Sequence, residues 1–289
     1  MSLNLKGTGV AVVTPFDKNE KLDANCLSGI LNHLVKGSVE YLVLLGTTGE
    51  SVTVTEDEKH EILRIAKEMV NGRIPLILGI GGNNTQSVLD KIRSTDFSGI
   101  SGLLSVGPYY NKPSQTGIYQ HYMRIADHSP VPVILYNVPA RTSSNISAST
   151  TLALAKDHSN IIGMKEASGN FDQCMEIISG RPDGFFVISG DDLLTLPLIA
   201  TGFDGVISVI ANAFPQDFSD MTRASLAGDF PHARTLHYKL LPFIRDIFAE
   251  GNPSGIKALL TAMDLCENHL RLPMSPISTE LYDKMTARL

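Results

Sequence analysis

Short apolar runs recur along this sequence about every 28 residues, and each is followed by a longer segment with helical periodicity. The runs are continuously aliphatic or β-branched, which is typical of strands buried on both faces of a parallel sheet. Repeated right-handed strand–helix units predict a (β/α)8 TIM barrel, with a doubly wound open sheet as the alternative. The predicted strands are Gly9–Thr14, Tyr41–Leu45, Leu76–Ile80, Gly102–Ser105, Val133–Tyr136, Ile161–Lys165, Phe185–Ser189 and Gly205–Val209.

The pattern changes after Ala213, where helical periodicity continues without further strands. The helices predicted in this part are Pro215–Leu226, His232–Ala249 and Ser254–His269. We therefore predict a barrel domain over residues 1–213 and a C-terminal all-helical extension over residues 214–289. Because no flexible linker separates them, we expect the extension to pack on the barrel.

The composition limits the possible partners and location. Lys and Arg number 24 and Asp and Glu number 30, so the net charge of −6 gives no general attraction for nucleic-acid phosphates or acidic membranes. The longest apolar run is Tyr41–Leu45, far short of the roughly 20 residues of a membrane helix, and no secretory signal pattern opens the sequence. The cysteines, Cys26, Cys174 and Cys266, are odd in number and widely spaced, which is typical of reduced thiols. We predict a cytoplasmic protein.

Two residues at neighbouring strand ends could carry chemistry, because catalytic groups of such barrels lie at the carboxyl ends of the strands. Lys165 ends the sixth strand, at the mouth of an otherwise apolar barrel, where burial disfavours its charged form. It is a candidate Schiff-base nucleophile, and an ion pair with Glu166 is the alternative. Tyr136 ends the fifth strand and could move protons for that amine, or it could be a core tyrosine.

Two loops offer groups that recognise carboxylates. Arg141 follows a proline after the fifth strand, where a guanidinium can bind a carboxylate through two hydrogen bonds or remain solvated. The segment Gly46–Ser51 combines hydroxyls with free backbone N–H groups in a turn, which suits a small carboxylate but is also common in strand-to-helix loops. Gly190 ends the seventh strand at the same rim. Asp191 is expected to cap the following helix, predicted over Asp192–Ala200, and not to bind a metal.

No metal or cofactor is predicted from the residue spacing. The histidines form no i, i+4 pair on one helix face, and Gly79–Asn84 lacks the third glycine of a dinucleotide motif. Of Tyr109 and Tyr110, only one can face a given site, because adjacent residues of an extended chain point to opposite sides.

Three segments together resemble the dihydrodipicolinate synthase / N-acetylneuraminate lyase family: Gly46–Glu50, Tyr136–Thr142 and Lys165-Glu166. The resemblance covers nearly the whole chain and implies that Lys165 forms an imine with pyruvate. The enamine tautomer would then attack L-aspartate 4-semialdehyde, in the diaminopimelate route to lysine. Since a lysine imine stores the electrons, the resemblance implies no metal, flavin or nicotinamide cofactor.

The resemblance also implies roles for single residues. Tyr136 would donate and accept protons, connected to solvent by Thr47 and by Tyr110 of a neighbouring subunit. Thr48 would hold the pyruvate carboxylate through its backbone and hydroxyl, and the Ile207 carbonyl would line the same pocket. Arg141 would receive the carboxylate of the semialdehyde. The implied substrate-binding residues are Thr48, Ile207, Arg141 and Gly190.

Arg141 and Thr47 favour the synthase branch of the family. Lyases and keto-sugar aldolases usually carry a small or apolar residue near the arginine, and sialate lyases have serine in place of Thr47. The alternatives are another pyruvate-dependent aldolase or lyase, and a catalytically silent barrel that binds a small carboxylate.

The family is usually a dimer of dimers, so the resemblance implies a homotetramer. In lysine-inhibited relatives an effector site lies at the tight dimer interface, and Ser51, Asn83 and Tyr109 fit its pattern. The positions that depart from it are Val52, Glu56, Lys59 and Ser87. Serine at 87 removes a partner for the effector's ammonium and Lys59 adds a like charge, so we expect weak or absent feedback inhibition by lysine.

Overall fold

The computed structural model describes residues 3–289, so the first two residues of the predicted barrel domain lie outside the described residues. Eight parallel strands close into a barrel in chain order, and the first is hydrogen-bonded to the eighth. The predicted (β/α)8 barrel is thereby confirmed, and the open-sheet alternative is wrong. The strands are β1 Gly7–Ala11, β2 Tyr41–Leu44, β3 Leu76–Gly79, β4 Gly102–Val106, β5 Val133–Asn137, β6 Ile161–Glu166, β7 Phe186–Ser189 and β8 Gly205–Ser208.

Helices follow the strands around the outside of the barrel and continue into the C-terminal part. Several begin with a side-chain cap; α2, for example, has a capping box in which Thr55 and Glu58 satisfy each other's backbone N–H groups. The helices are α1 Ala24–Lys36, α2 Glu56–Val70, α3 Thr85–Ser94, α4 Gln115–His128, α5 Pro139–Thr142, α6 Ala148–Asp157, α7 Phe171–Gly180, α8 Thr195–Ala200, α9 Pro215–Leu226, α10 Phe230–Ala249, α11 Ser254–Ala262 and α12 Thr279–Thr286.

The barrel interior is filled by side chains, as the alternation of inward and outward residues along each strand requires. Gly9 lies opposite Tyr41 in the pairing of β1 with β2, and a Cβ atom on Gly9 would overlap the Tyr41 ring. The glycine therefore leaves the space that this tyrosine fills. The Tyr41 hydroxyl donates a hydrogen bond to the Val206 carbonyl oxygen at 3.3 Å, so a polar tip inside the barrel is satisfied by the backbone of β8.

The last predicted helix is wrong in extent, because α11 ends at Ala262 and not at His269. Asp264 has φ +57, in the left-handed region. The N–H of Leu265 donates to the Leu260 carbonyl at 2.9 Å, and the N–H of Asp264 donates to Thr261 at 3.0 Å. These two bonds form a Schellman ending, in which glycine is the usual left-handed residue. Because Asp264 takes the place of that glycine, the sequence does not indicate that the helix ends here.

Other helices also differ from the sequence prediction, among them α8 and α12. The predicted start of α8 at Asp192 is three residues early, because Asp191 accepts the N–H groups of Leu193 and Leu194 and caps a turn that precedes the helix. The helix α12 was not predicted; it begins after Ser278, whose hydroxyl accepts the Leu281 N–H at 3.2 Å.

The C-terminal helices pack on the barrel's outer helices. Buried apolar side chains of α9, α10 and α11 share one cluster with those of α1, α2 and β1. Within residues 3–289, the three cysteines are free thiols. Over the same residues, no helix is long and apolar enough to cross a membrane.

Candidate active site

A cavity of about 600 Å³ opens at the carboxyl ends of the strands. Its volume suits a small ligand. Most of its lining comes from the ends of β2 to β8 and the loops that follow them, and the C-terminal part adds Phe248 and Asn252. The predicted site residues that line it are Thr47, Thr48, Tyr136, Arg141, Lys165 and Gly190.

Lys165 and Tyr136 are direct neighbours in the pairing of β6 with β5. Both are largely buried, with 5% and 8% of their surface exposed. The Lys165 Nζ lies 4.4 Å from the centroid of the Tyr136 ring, within the range of a cation–π contact. A primary amine and a phenol, both largely buried, therefore meet at this cavity.

Glu166 does not pair with Lys165, so the ion pair considered as an alternative is wrong. Adjacent residues of a strand point to opposite faces, and Glu166 points away from the barrel interior. Its carboxylate accepts hydrogen bonds from the Asn137 Nδ2 at 3.0 Å and the Gln173 Nε2 at 2.9 Å. Since Asn137 is paired with Glu166 across β5 and β6, these bonds fix the two strand ends that carry the phenol and the amine.

Gly190 allows the chain to pass close to the lysine. A Cβ atom at this position would lie 2.9 Å from the Lys165 Cε and 2.6 Å from the Ala167 Cβ. The Gly190 N–H donates to the Glu166 carbonyl at 2.8 Å, which fixes the end of β7 beside β6. A side chain at this position would displace the amine.

The turn after β2 presents donors to the cavity. The N–H groups of Thr47 and Thr48 donate no hydrogen bond within residues 3–289. Thr48 is buried and its hydroxyl accepts the Asn252 Nδ2 at 3.0 Å, whereas Thr47 is exposed. The turn is tight: Gly49 donates to Gly46 at 3.2 Å and Glu50, with φ +49, donates to Thr47 at 3.1 Å. Free N–H groups and a hydroxyl on two residues that line one cavity suit an anion.

Arg141 lies in α5, a single turn that begins with Pro139 and ends at Ser143 in a left-handed conformation. Its side chain is exposed and lines the cavity. It has no carboxylate partner among residues 3–289, so the guanidinium is available to an anionic ligand.

The two adjacent tyrosines separate as expected, and only Tyr109 lines the cavity of its own chain. Tyr110 has φ +72 and 86% of its surface is exposed. Its side chain therefore projects away from the cavity of this chain.

Ile207 lies deeper than the cavity wall. Its side chain belongs to the inner apolar layer of the barrel, and Val209, two residues further on, lines the cavity. The predicted contact of its carbonyl oxygen with a ligand stays a prediction.

A buried acid supports the cavity wall at the end of β8. Asp192 accepts the N–H groups of Val209 at 3.0 Å and Ile210 at 2.9 Å. Burial raises the pKa of this carboxyl to about 6, against the lowering effect of the hydrogen bonds it accepts from Ile210, Ser208 and Val209. The wall beside Val209 thus rests on a group that titrates in a mildly acidic range.

Sequence reasoning missed the contribution of Phe248 and Asn252. Both lie in the C-terminal part, which the sequence presents only as amphipathic helices. Asn252 precedes Pro253 between two predicted helices, and a polar residue at such a break was the one available signal. Within residues 3–289 no group of three or more His, Cys, Asp and Glu side chains is placed to hold a metal ion.

The fold and the cavity define a (β/α)8 barrel with a buried lysine at the carboxyl ends of its strands. The sequence profile of the Dihydrodipicolinate synthetase family matches residues 4–289, and the chain belongs to that family. The family prediction is therefore confirmed.

Individual relatives and solved structures are similar to this chain over nearly its full length. The 4-hydroxy-tetrahydrodipicolinate synthase of Flavobacterium psychrophilum is 51% identical over 279 residues, covering 96% of this chain and 95% of that protein. Among solved structures, a chloride-inhibited dihydrodipicolinate synthase from Acinetobacter baumannii, complexed with pyruvate, superposes with a TM-score of 0.95 at 34% identity, covering 99% of this chain and 98% of that one. A monomeric dihydrodipicolinate synthase variant gives 0.95 at 37% identity, with 99% and 98% covered.

Proposed function

We propose that this chain condenses pyruvate with L-aspartate 4-semialdehyde to 4-hydroxy-tetrahydrodipicolinate, a step of lysine biosynthesis through diaminopimelate. The observation that carries the proposal is the Lys165 amine, 4.4 Å from the Tyr136 ring centroid and buried in a cavity that Arg141 also lines. The relatives named for this activity support it, and so does the solved relative that holds pyruvate.

The first half of the reaction uses the buried pair. The Lys165 amine attacks the pyruvate carbonyl, and loss of water leaves an imine. Removal of a methyl proton gives the enamine, whose carbon attacks the aldehyde of the second substrate. Tyr136 is the proton donor and acceptor at both stages, with Thr47 and a neighbouring subunit's Tyr110 completing the path to solvent.

The second half closes the ring. The amino group of the bound semialdehyde attacks the imine carbon and releases the Lys165 amine. Thr48 holds the pyruvate carboxylate through its N–H and hydroxyl, and the Ile207 carbonyl and the close backbone at Gly190 line the same pocket. Arg141 binds the carboxylate of the semialdehyde through its guanidinium. The imine formed on Lys165 is the electron sink of the reaction, and no cofactor enters these steps.

Two measurements test the proposal. Borohydride reduction in the presence of pyruvate should add the reduced pyruvyl mass to Lys165, and a Lys165→Ala variant should gain none. A coupled assay should show aspartate semialdehyde to be preferred over N-acetylmannosamine and glyceraldehyde. Absence of the adduct contradicts the imine, and preference for either sugar-derived acceptor contradicts the proposed substrate.

We propose that the chain comprises a catalytic barrel over residues 1–213 and a helical extension over residues 214–289. The end of β8 at Ser208 and the all-helical elements after it support this division. We also propose a cytoplasmic location, which the free thiols support.

We propose a homotetramer, a dimer of dimers, in which Tyr110 reaches a neighbour's cavity. The exposure of Val52 and Tyr110, at 88% and 86%, supports a covered surface beside the cavity. Light scattering measures the oligomeric state in solution. A monomer would contradict the proposed tetramer. Tyr110→Phe subunits mixed with Lys165→Ala subunits should recover activity, because each mixed dimer has one intact site. Unchanged activity on mixing contradicts the shared site.

We propose that lysine binds this enzyme weakly or not at all. A second cavity of about 270 Å³ beside the first is lined by Ser51, Val52, Lys59, Lys91 and Tyr109, among others. Lys59 pairs with Glu56 at 2.7 Å, so a carboxylate that lines this cavity is already engaged. A lysine effector would bring a third ammonium beside two lysines.

A further inference from the structure

The cavity wall contains a hydrogen bond between the turn after β2 and the C-terminal part of the chain. The Asn252 Nδ2 donates to the Thr48 hydroxyl at 3.0 Å, and both side chains are buried. Asn252 lies two residues before the start of α11 at Ser254, in the helical C-terminal part, and both Asn252 and Thr48 line the cavity.

This bond determines what the Thr48 hydroxyl can offer a ligand. A hydroxyl has one hydrogen to donate and two lone pairs to accept with. Because Thr48 accepts from Asn252, its own hydrogen stays available, and it finds no acceptor among residues 3–289. A donor whose orientation is set in advance by a neighbour binds an anion better than a freely rotating one.

A second contact holds the same two segments together. Glu50, two residues after Thr48, forms a fully buried ion pair with Lys257, five residues after Asn252. The Lys257 Nζ also donates to the His269 carbonyl at 2.8 Å. The hydrogen bond and the ion pair therefore fix the turn after β2 to the C-terminal part at two points.

We propose that Asn252 is a positioning residue for substrate carboxylate binding: it orients the Thr48 hydroxyl so that its hydrogen points at the carboxylate of pyruvate. This rests on the proposed function, in which pyruvate occupies the cavity. The C-terminal part of the chain thus takes part in substrate selection through a side chain that donates to Thr48.

Three variants distinguish this role from simple packing. Asn252→Ala removes the donor and should raise the half-saturating pyruvate concentration about tenfold. Asn252→Asp has nearly the same shape but accepts the Thr48 hydrogen and adds a negative charge, so it should raise that concentration further, about a hundredfold. Thr48→Val removes the hydroxyl, and in that background Asn252→Ala should change the pyruvate requirement by less than about twofold.

The readouts separate this proposal from the proposed function. Borohydride trapping measures imine formation against pyruvate concentration, and calorimetry in a Lys165→Ala background measures pyruvate affinity without any imine. Calorimetry therefore tests Asn252 even if the imine fails to form. Melting temperature confirms that each variant is folded. The proposal is overturned if Asn252→Asp is milder than Asn252→Ala, or if Asn252→Ala keeps its full effect beside Thr48→Val.

Discussion

The side-chain nitrogen of Lys165 lies 4.4 Å from the ring centroid of Tyr136, its direct neighbour across two strands. Tyr136→Phe keeps the ring and its packing and removes only the hydroxyl. If the phenol moves protons, kcat should fall about 10² to 10⁴-fold with little change in melting temperature. A coupled assay and a thermal melt measure both quantities, and a turnover near that of the wild type would remove Tyr136 from the proton path.

Gly190→Ala should impair imine formation without unfolding the protein. The added methyl group would lie 2.9 Å from the Lys165 Cε and must displace the amine. We expect at least a tenfold slower rate of borohydride trapping with pyruvate. Gly29→Ala is the matched control, because a Cβ atom there meets nothing within 4 Å in helix α1. Equal trapping rates for the two variants would show that the space beside the lysine is not needed.

The buried ion pair of Glu50 and Lys257 predicts that removing one partner alone destabilises the protein more than neutralising both. Lys257→Met leaves Glu50 as an unpaired buried charge and should lower the free energy of unfolding by about 3 to 5 kcal/mol. Adding Glu50→Gln removes that charge, so the double variant should be more stable than Lys257→Met alone. Urea unfolding measures the free energies of unfolding of the wild type and of both variants and so tests their expected order. Arg64→Met, at an exposed pair with Glu61, should have no measurable effect.

Asp192 predicts a specific dependence of stability on pH. Its pKa is raised from 3.8 to about 6 in the folded protein, so the folded chain holds this proton more tightly than the unfolded chain. Its contribution to the free energy of unfolding is therefore greatest below pH 4 and is lost as the pH rises to about 6, by about 3 kcal/mol. The stability of the wild type relative to Asp192→Asn should fall across that range in urea unfolding. A difference that stays constant, or that rises with pH, contradicts the assignment.

Lysine should not regulate this enzyme at physiological concentrations. The second cavity is lined by Lys59 and Lys91, which oppose a cationic ligand. By the sequence resemblance, Ser87 also stands where lysine-inhibited relatives have a glutamate. Initial rates with up to several millimolar lysine should stay close to the uninhibited rate. Half-inhibition at submillimolar lysine would overturn this. A Lys59→Ala, Ser87→Glu variant should increase sensitivity, because it removes a like charge and restores a partner for the ammonium.

The sequence predicts the barrel and its reactive pair well, for one reason. Lys165 and Tyr136 lie one strand–helix unit apart, and consecutive strands of a parallel barrel are neighbours, so local periodicity determines their contact. The rim positions of Arg141, Thr48 and Gly190 follow from the same rule.

Features that depend on distant contacts or unusual backbone conformations could not be predicted in this way. The end of α11 depends on Asp264 in a left-handed conformation that glycine usually adopts. The outward direction of Tyr110 depends on its own positive φ. Asn252 reaches the cavity through a contact with Thr48 across 204 positions of sequence, which no periodicity encodes.

That same contact has a consequence for how the enzyme is made. When all eight strands have been synthesised, Lys165, Tyr136 and Arg141 are already present, yet Asn252, which closes the cavity beside Thr48, comes later in the chain. The contact that closes this wall joins two residues that are 204 positions apart in the sequence, and contacts between such distant residues form late in folding. The nascent barrel therefore has its reactive amine well before it has a complete pocket for the substrate.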